Sequence, residues 1–307
     1  MLDRDSMGLF IEREKKQGLH LRKALLGRHQ TVFQRPRREI PQLRAKRASL
    51  LNAHNAYARV RWMRGLGGYV CEHLGAEAPD WLPDQPVYFL TVIDQEQAHS
   101  LRDEPWSPET QGRHNEKPIP DPDLPGFYTV RVPRGPNIQA IRRSYSRLLP
   151  GLNYVGMIDV AYYASVHRVL GHNNLLLPHV HGLVWGVSEG ELDAVCQDIR
   201  KQIKPLLPYA TAARYARVRD GDLLQMVWYV CKTPYKQYQL GQREKSNSLQ
   251  QWDRRINGVN SVRLYADLHD VTLDQLTLAG GEGRPLLKAL RQDVQRWQRN
   301  AREKGYI

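Results

Sequence analysis

The sequence predicts an α+β architecture: an antiparallel sheet with helices on a face, a basic helical extension before it and a helical appendage after it. Two observations lead there. Segments at 87–94, 152–164, 174–186 and 213–218 read as strands, the first rich in β-branched and aromatic residues. Helical patterns at 136–149, 188–206 and 222–233 stand between and after them, in the order β-α-β-β-α-β-α.

From the N-terminus, residues 1–34 and 42–75 have the composition of basic helices, interrupted by the two prolines of RPRREIP at 35–41. A proline-containing linker at 75–86 leads into the strand VYFLTVID, 87–94. Six prolines and mixed charge make 102–126 a long surface loop. The helix at 136–149 is amphipathic, with Ile138, Ile141, Tyr145 and Leu148 on one side and Arg142, Arg143 and Arg147 on the other. The neighbouring strands 152–164 and 174–186 are joined by a short connection, so antiparallel pairing is expected.

Ser188 with Glu191 forms a capping box for the next helix, whose stripe is Leu192, Val195, Cys196, Ile199 and Ile203. A short strand at 213–218 precedes a helix capped by Asp220 or Asp222 and ended by Pro234. Trp185 and Trp228, among apolar neighbours, belong to the core. A polar loop at 240–260 and helices at 261–279 and 284–303 complete the chain, with GGEGRP at 280–285 between the two helices. The element order is the ferredoxin-like or RRM-like layout. The expected division is therefore 1–84, a basic DNA-binding extension; 85–239, the sheet core; and 240–307, a C-terminal helical appendage.

Charge narrows the class of partner. Between Arg13 and Arg64 stand fifteen Lys or Arg against Glu14 and Glu39, an excess equal to the whole chain's +13. Such a block favours a polyanion through counterion release. Its arginine-rich composition, interleaved with Phe33, Tyr57 and Trp62, points to nucleic acid. Arg35, Arg37, Arg38, Arg44, Lys46 and Arg47 are the candidate DNA contacts, joined by Arg142 and Arg143 of the amphipathic helix. No apolar stretch is long enough for a bilayer, so no membrane partner is expected. The opening MLDRDS lacks the design of a secretory signal, and Cys71, Cys196 and Cys231, far apart in sequence, cannot all pair, which points to a reducing, intracellular setting. The expected setting is the cytoplasm.

Three pieces carry chemistry. In LLLPHVHGLVW, 175–185, the two-residue period of a strand puts His179 and His181 on one face and Leu176, Val180 and Val184 on the other. Two neutral imidazoles on a rigid strand supply two ligands of a metal site. Asp159 lies mid-strand among apolar residues, where a carboxylate needs a partner or a metal, and the strand carrying it neighbours the histidines. His167 and His172, near the hairpin turn, are alternative ligands. On the helix at 222–233, Tyr229 and Lys232 are three residues apart and share a face, suiting a tyrosine nucleophile with an ammonium near phosphate charge. Tyr235 and Tyr238 follow closely, but Pro234 separates them from that helix, which leaves Tyr229 as the expected nucleophile.

With these residues in order, the chain resembles the HUH endonucleases, in the branch of rolling-circle replication initiators. FLTVID at 89–94 is similar to the family's first motif, PHVHGLV at 178–184 to its His-hydrophobic-His motif, and YVCK at 229–232 to its Y-x-x-K motif. The likeness spans about half the chain, 87–236. Members of this type often carry Glu where Asp159 stands here. The resemblance implies an origin-specific nick in single-stranded or hairpin DNA through a 5′-phosphotyrosine intermediate, initiating replication of a bacterial plasmid or phage. It implies Mg²⁺ or Mn²⁺ held by His179 and His181 with Asp159 as third ligand, Tyr229 as nucleophile and Lys232 as its electrostatic helper. No G-x-x-x-x-G-K-[ST] run is present, so a helicase would be a separate host protein. A transposase or relaxase on the same core is the rival enzyme. A non-catalytic DNA-binding repressor or replication accessory, with structural histidines, is the rival outside the enzymes.

Overall fold

The computed structural model describes residues 4–26, 52–76, 85–104, 112, 119–120, 128–129, 131–164, 166, 174–203, 210–219, 221–234, 236–242 and 249–303. Among the described residues two helices come first, α1 (Arg4–Leu26) and α2 (Ala56–His73). Asn55 caps α2 by accepting from the Tyr57 and Ala58 amides. Strand β1 (Val87–Ile93) follows, then three short strands, β2 (His99–Ser100), β3 (Ile119–Pro120) and β4 (Tyr128–Thr129). Helix α3 (Ile138–Leu148) leads to the long strands β5 (Asn153–Ala164) and β6 (Asn174–Trp185). Next come α4 (Glu189–Gln202), β7 (Ala213–Arg217) and α5 (Leu223–Cys231). The chain continues through β8 (Lys236–Gln242), β9 (Leu249–Arg255), α6 (Gly258–Leu268), α7 (Leu273–Leu276), β10 (Thr277–Gly280) and α8 (Gly283–Glu303).

The elements read from 87–233 are present in order, as β1-α3-β5-β6-α4-β7-α5. Ser188 and Glu191 form the expected capping box on α4. On α3, Ile138, Ile141 and Tyr145 are buried while Arg143 and Arg147 face solvent. The sheet's spine is β5 paired antiparallel with β6 over twelve residues, from Asn153↔Trp185 to Ala164↔Asn174. Strand order is β7-β1-β6-β5-β8-β9, with β2 also on β6 and β10 also on β5. From β7 to β5 every neighbour is antiparallel.

Four expectations need correction. The sheet is mixed, because β8 runs parallel to β5 at Tyr162↔Gln237 and Tyr163↔Tyr238. The polar stretch expected as a loop at 240–260 holds the end of β8 and all of β9, an antiparallel hairpin whose strand LQQWDRR lacks apolar alternation and whose strand KQYQLGQ shows it only at Tyr238 and Leu240. The helix expected at 261–279 is α6, then α7, then β10, because Thr272 and Gln275 make a fresh capping box and residues 277–280 pair with β5. Lys232 is not on the helix: it is the extended residue that caps α5. At the other end of α5, Asp222 stands at the N-cap without a side-chain cap bond. The basic residues at 35–47 lie outside the described residues.

One apolar core joins elements from all three predicted segments: Trp62, Met63 and Leu66 of α2, the sheet, Val227 and Trp228 of α5, and Leu287 and Leu290 of α8. Trp185 and Trp228 are both buried, as expected. A smaller cluster, including Ala161, Tyr163, Leu175, Leu177 and Leu240, extends along the sheet from β5 and β6. No helix among the described residues is long and apolar enough to cross a membrane.

His54 ties the start of α2 to α6. It is buried, its ring meets Tyr265 edge-on at 5.1 Å, and its Nε2 has no hydrogen-bond partner among the described residues. Burial first, then Arg59 and His269, push this imidazole down to about 3. The unfolded chain takes up that proton near 6.5 and the folded one only near 3, so stability is full above 6.5 and declines as pH falls between those values. One such group costs up to about 1.4 kcal/mol per pH unit. The urea midpoint is therefore expected to fall from pH 7 to pH 5, and to fall less in His54→Phe. Equal declines in the two proteins would contradict this role.

Candidate metal centre and its tyrosine

The alternation of β6 sends Leu176, Val180 and Val184 into the main core and brings His179 and His181 together on the other face. Register then decides their neighbours. Asp159 of β5 stands directly opposite His179, and Ile93 of β1 flanks it on the other side. Met157 and Thr91 flank His181 in the same way. Next to His181 the backbones of β5 and β6 approach closely at Gly156↔Gly182, where a Cβ on Gly156 would stand 2.8 Å from the His181 carbonyl oxygen. Glycine is what lets the histidine-bearing strand lie this near its neighbour.

Hydrogen bonding assigns the protons. The Leu177 carbonyl can only accept, so the 3.2 Å contact makes His179 Nδ1 the protonated nitrogen and leaves a lone pair on Nε2. That lone pair accepts from Nε2 of His181 at 3.1 Å. His181 Nδ1 meets the Thr91 hydroxyl at 3.0 Å. A hydroxyl both donates and accepts, so Thr91 serves either tautomer of His181, including the one with a lone pair on Nε2. Ligand atoms about 2.1 Å from one ion and at right angles stand about 3.0 Å apart. The two Nε2 atoms are already at that spacing.

Asp159 Oδ2 lies 3.7 Å from His179 Nε2 and 3.9 Å from His181 Nε2, so the three side chains have the composition and closeness of a metal-binding group. Burial pushes the Asp159 carboxyl up, but Lys232 above all, with the two histidines, outweighs it and holds the group well below the usual carboxylate range. Its Oδ2 pairs with the Lys232 ammonium and its Oδ1 accepts from the Val160 amide at 2.9 Å. Both histidines are pushed down, chiefly by burial; Lys232 adds to this, and Asp159 opposes it. At neutral pH the cluster is a carboxylate beside two neutral imidazoles, which is the donor set a divalent cation needs. The residues fit such an ion.

Tyr229 arrives from the helix packed over these strands. Within α5, Leu223, Val227, Trp228, Val230 and Cys231 are buried, whereas Tyr229 is 42% exposed. Its ring meets His181 at 5.2 Å and Phe89 at 5.4 Å, and Phe89 stacks on His181. Lys232 turns back so that its ammonium lies 4.3 Å from the centre of the Tyr229 ring while holding Asp159. Tyr229, Lys232, Asp159, His179 and His181 all line one cleft of about 320 Å³, with Arg214 on its wall. Tyr238 lines it too, but burial first, then the charges of Asp159 and Tyr229, push that phenol up to about 12. Tyr235, His167 and His172 lie outside the described residues, and Arg142 and Arg143 do not line the cleft.

Two residues without a signal in the sequence hold the turn after α5. Arg59 is buried, and its Nη1 donates to the carbonyls of Cys231 at 2.7 Å and Lys232 at 3.0 Å. Its Nε and Nη2 donate to the Ala53 carbonyl at 3.1 and 2.5 Å. Glu14 of α1, also buried, accepts from the amide of Thr233 at 3.1 Å and from its hydroxyl. A cation on the last carbonyls and a carboxylate on the next amide fix the direction in which Lys232 leaves the helix. Both residues sit in the basic N-terminal block, where a charged side chain reads from sequence as solvated.

Compared with protein-family models, with curated proteins and with solved structures, the chain matches none.

Arg59→Met leaves the Cys231 and Lys232 carbonyls without their donor and Glu14 without its nearby cation. A loss of about 3 kcal/mol in unfolding free energy is expected by urea denaturation. A loss under about 1 kcal/mol would mean that water replaces the guanidinium.

Proposed function

We propose that the chain is a metal-dependent nickase and strand transferase for single-stranded or hairpin DNA, of the HUH replication-initiator type, with Tyr229 as nucleophile. The observation that carries this reading is the meeting in one cleft of His179, His181 and Asp159 with an exposed tyrosine and its lysine. The sheet supports it. Strands β7-β1-β6-β5 stand in the order fourth-first-third-second of a β-α-β-β-α-β unit, all antiparallel, the order that a ferredoxin-like core would have.

His179, His181 and Asp159 would hold Mg²⁺ or Mn²⁺, which would supply Lewis acidity toward the scissile phosphate. The chain's own residues supply the rest. Tyr229 Oη bonds to phosphorus as the P–O3′ bond breaks, leaving a 5′-phosphotyrosine and a free 3′-OH. The phenolic proton leaves through the open mouth of the cleft, and the departing O3′ takes one up. Lys232 and Arg214 place positive charge beside the phosphate. Because the phosphotyrosine conserves the bond, a 3′-OH can attack it and reseal the strand. In this reading strand separation falls to a separate helicase and the DNA is the replication origin of a plasmid or phage.

Incubation with a library of single-stranded and hairpin oligonucleotides in Mn²⁺ tests it. Tyr229→Phe is expected to reduce the covalent protein–DNA adduct by about three orders of magnitude or more while binding persists. Undiminished adduct in that variant would exclude Tyr229 as nucleophile. His179→Ala is expected to abolish nicking in either metal; full nicking without this imidazole would refute the metal site.

A further inference from the structure

Away from the cleft, α1 lies beside the β8–β9 hairpin, and the space between them is a groove of about 520 Å³. Its helical wall is Leu9, Glu12, Arg13, Lys16 and Gln17, spaced i, i+3, i+4, i+7 and i+8 and therefore one face of the helix. A face that packs carries apolar residues at those positions. Here four of the five are polar, and Arg13 and Lys16 are exposed. The other wall is Lys236, Asp253, Arg254 and Arg255. Five cations against Glu12 and Asp253 leave a net +3 along about 12 Å of helix.

Two further observations give this groove a ligand. Lys236 and Arg255 are direct cross-strand partners, a like-charge pair that costs stability and is relieved by an anion above it. Asp253, ion-paired to Lys236, offsets only part of that charge. Lys236 also lines a small pocket with Asp159, His179, Tyr229 and Lys232, so this one residue borders both the groove and the reaction site.

We infer that the groove between α1 and the β8–β9 hairpin binds the phosphate backbone of a nucleic-acid strand entering or leaving the Tyr229 cleft, with Lys236 at the junction. The inference rests on the nickase reading for the cleft. Its recognition is electrostatic: Arg13, Lys16, Arg254 and Arg255 hold successive phosphates without reading sequence.

The test uses the full chain with Tyr229→Phe, so that nothing is cut, and labelled oligothymidylates of four and twelve nucleotides followed by anisotropy across 50–200 mM salt. Adding Lys16→Gln with Arg254→Gln is expected to weaken the twelve-mer severalfold and the four-mer less. The plot of log Kd against log salt should become shallower by about 1.4, at about 0.7 for each single-strand phosphate that is no longer neutralised. Lys201→Gln with Arg296→Gln, exposed cations outside the groove, is the charge-matched control and should leave the slope unchanged. Equal slopes in the two double variants overturn the inference. So does a groove variant that loses affinity for poly-glutamate but keeps its affinity for DNA, which would assign the groove to an acidic protein. Adduct formation by the chain with Tyr229 intact is scored separately. Adduct with an unchanged slope removes the groove and keeps the nickase; a changed slope without adduct does the reverse.

Discussion

A carboxylate in the middle of an apolar strand must find positive charge, and the pairing of Asp159 with Lys232 organises the rest of the site. Both side chains are about nine-tenths buried, so neither charge is satisfied by water. The pair joins β5 to the residue that ends α5, and in doing so sets where the helix lies over the sheet. Tyr229, three residues earlier, is thereby held over His181. The same carboxylate lies within 3.9 Å of both imidazoles, so one charge serves a structural pair and a candidate metal site. A buried pair of this kind contributes little net stability but strongly disfavours arrangements that separate it. Its consequence is geometric.

That geometry is supported from behind. Arg59 and Glu14 come from helices far away in sequence, yet they bind successive backbone groups of residues 231–233. The N-terminal helices are thus part of the site's scaffold, with α2 in the main core and α1 presenting one face to Thr233 and another to the β8–β9 hairpin. Strand β10 closes the opposite end of β5, so the C-terminal segment also belongs to the sheet.

Much of this is legible in the sequence because period and register are local properties. The spacing of His179 and His181, the antiparallel partner carrying Asp159, and the stripe of α4 all follow from side-chain alternation along single elements. What sequence could not supply depends on pairing between distant segments. In the hairpin β8–β9 the apolar period is confined to Tyr238 and Leu240, too short to read as a strand, and β10 resembles more helix because Leu276, Leu278 and Ala279 continue an apolar run. By spacing alone Lys232 shares a helical face with Tyr229; in the fold the helix ends at Cys231, just before it, and the ammonium reaches the same ring by turning back. Arg59 and Glu14 have no local signal, since burial of a charge is decided by what folds over it.

The central claim is that His179 and His181, the latter in the tautomer with its proton on Nδ1, can direct both Nε2 lone pairs at one point beside Asp159. Diffraction from crystals soaked in Mn²⁺, with anomalous data at the manganese edge, tests it most directly. The account expects one manganese within about 2.0–2.3 Å of both Nε2 atoms and of an Asp159 oxygen, with Thr91 accepting from His181 Nδ1. Manganese bound elsewhere, with the two Nε2 atoms still hydrogen-bonded to each other, would contradict it.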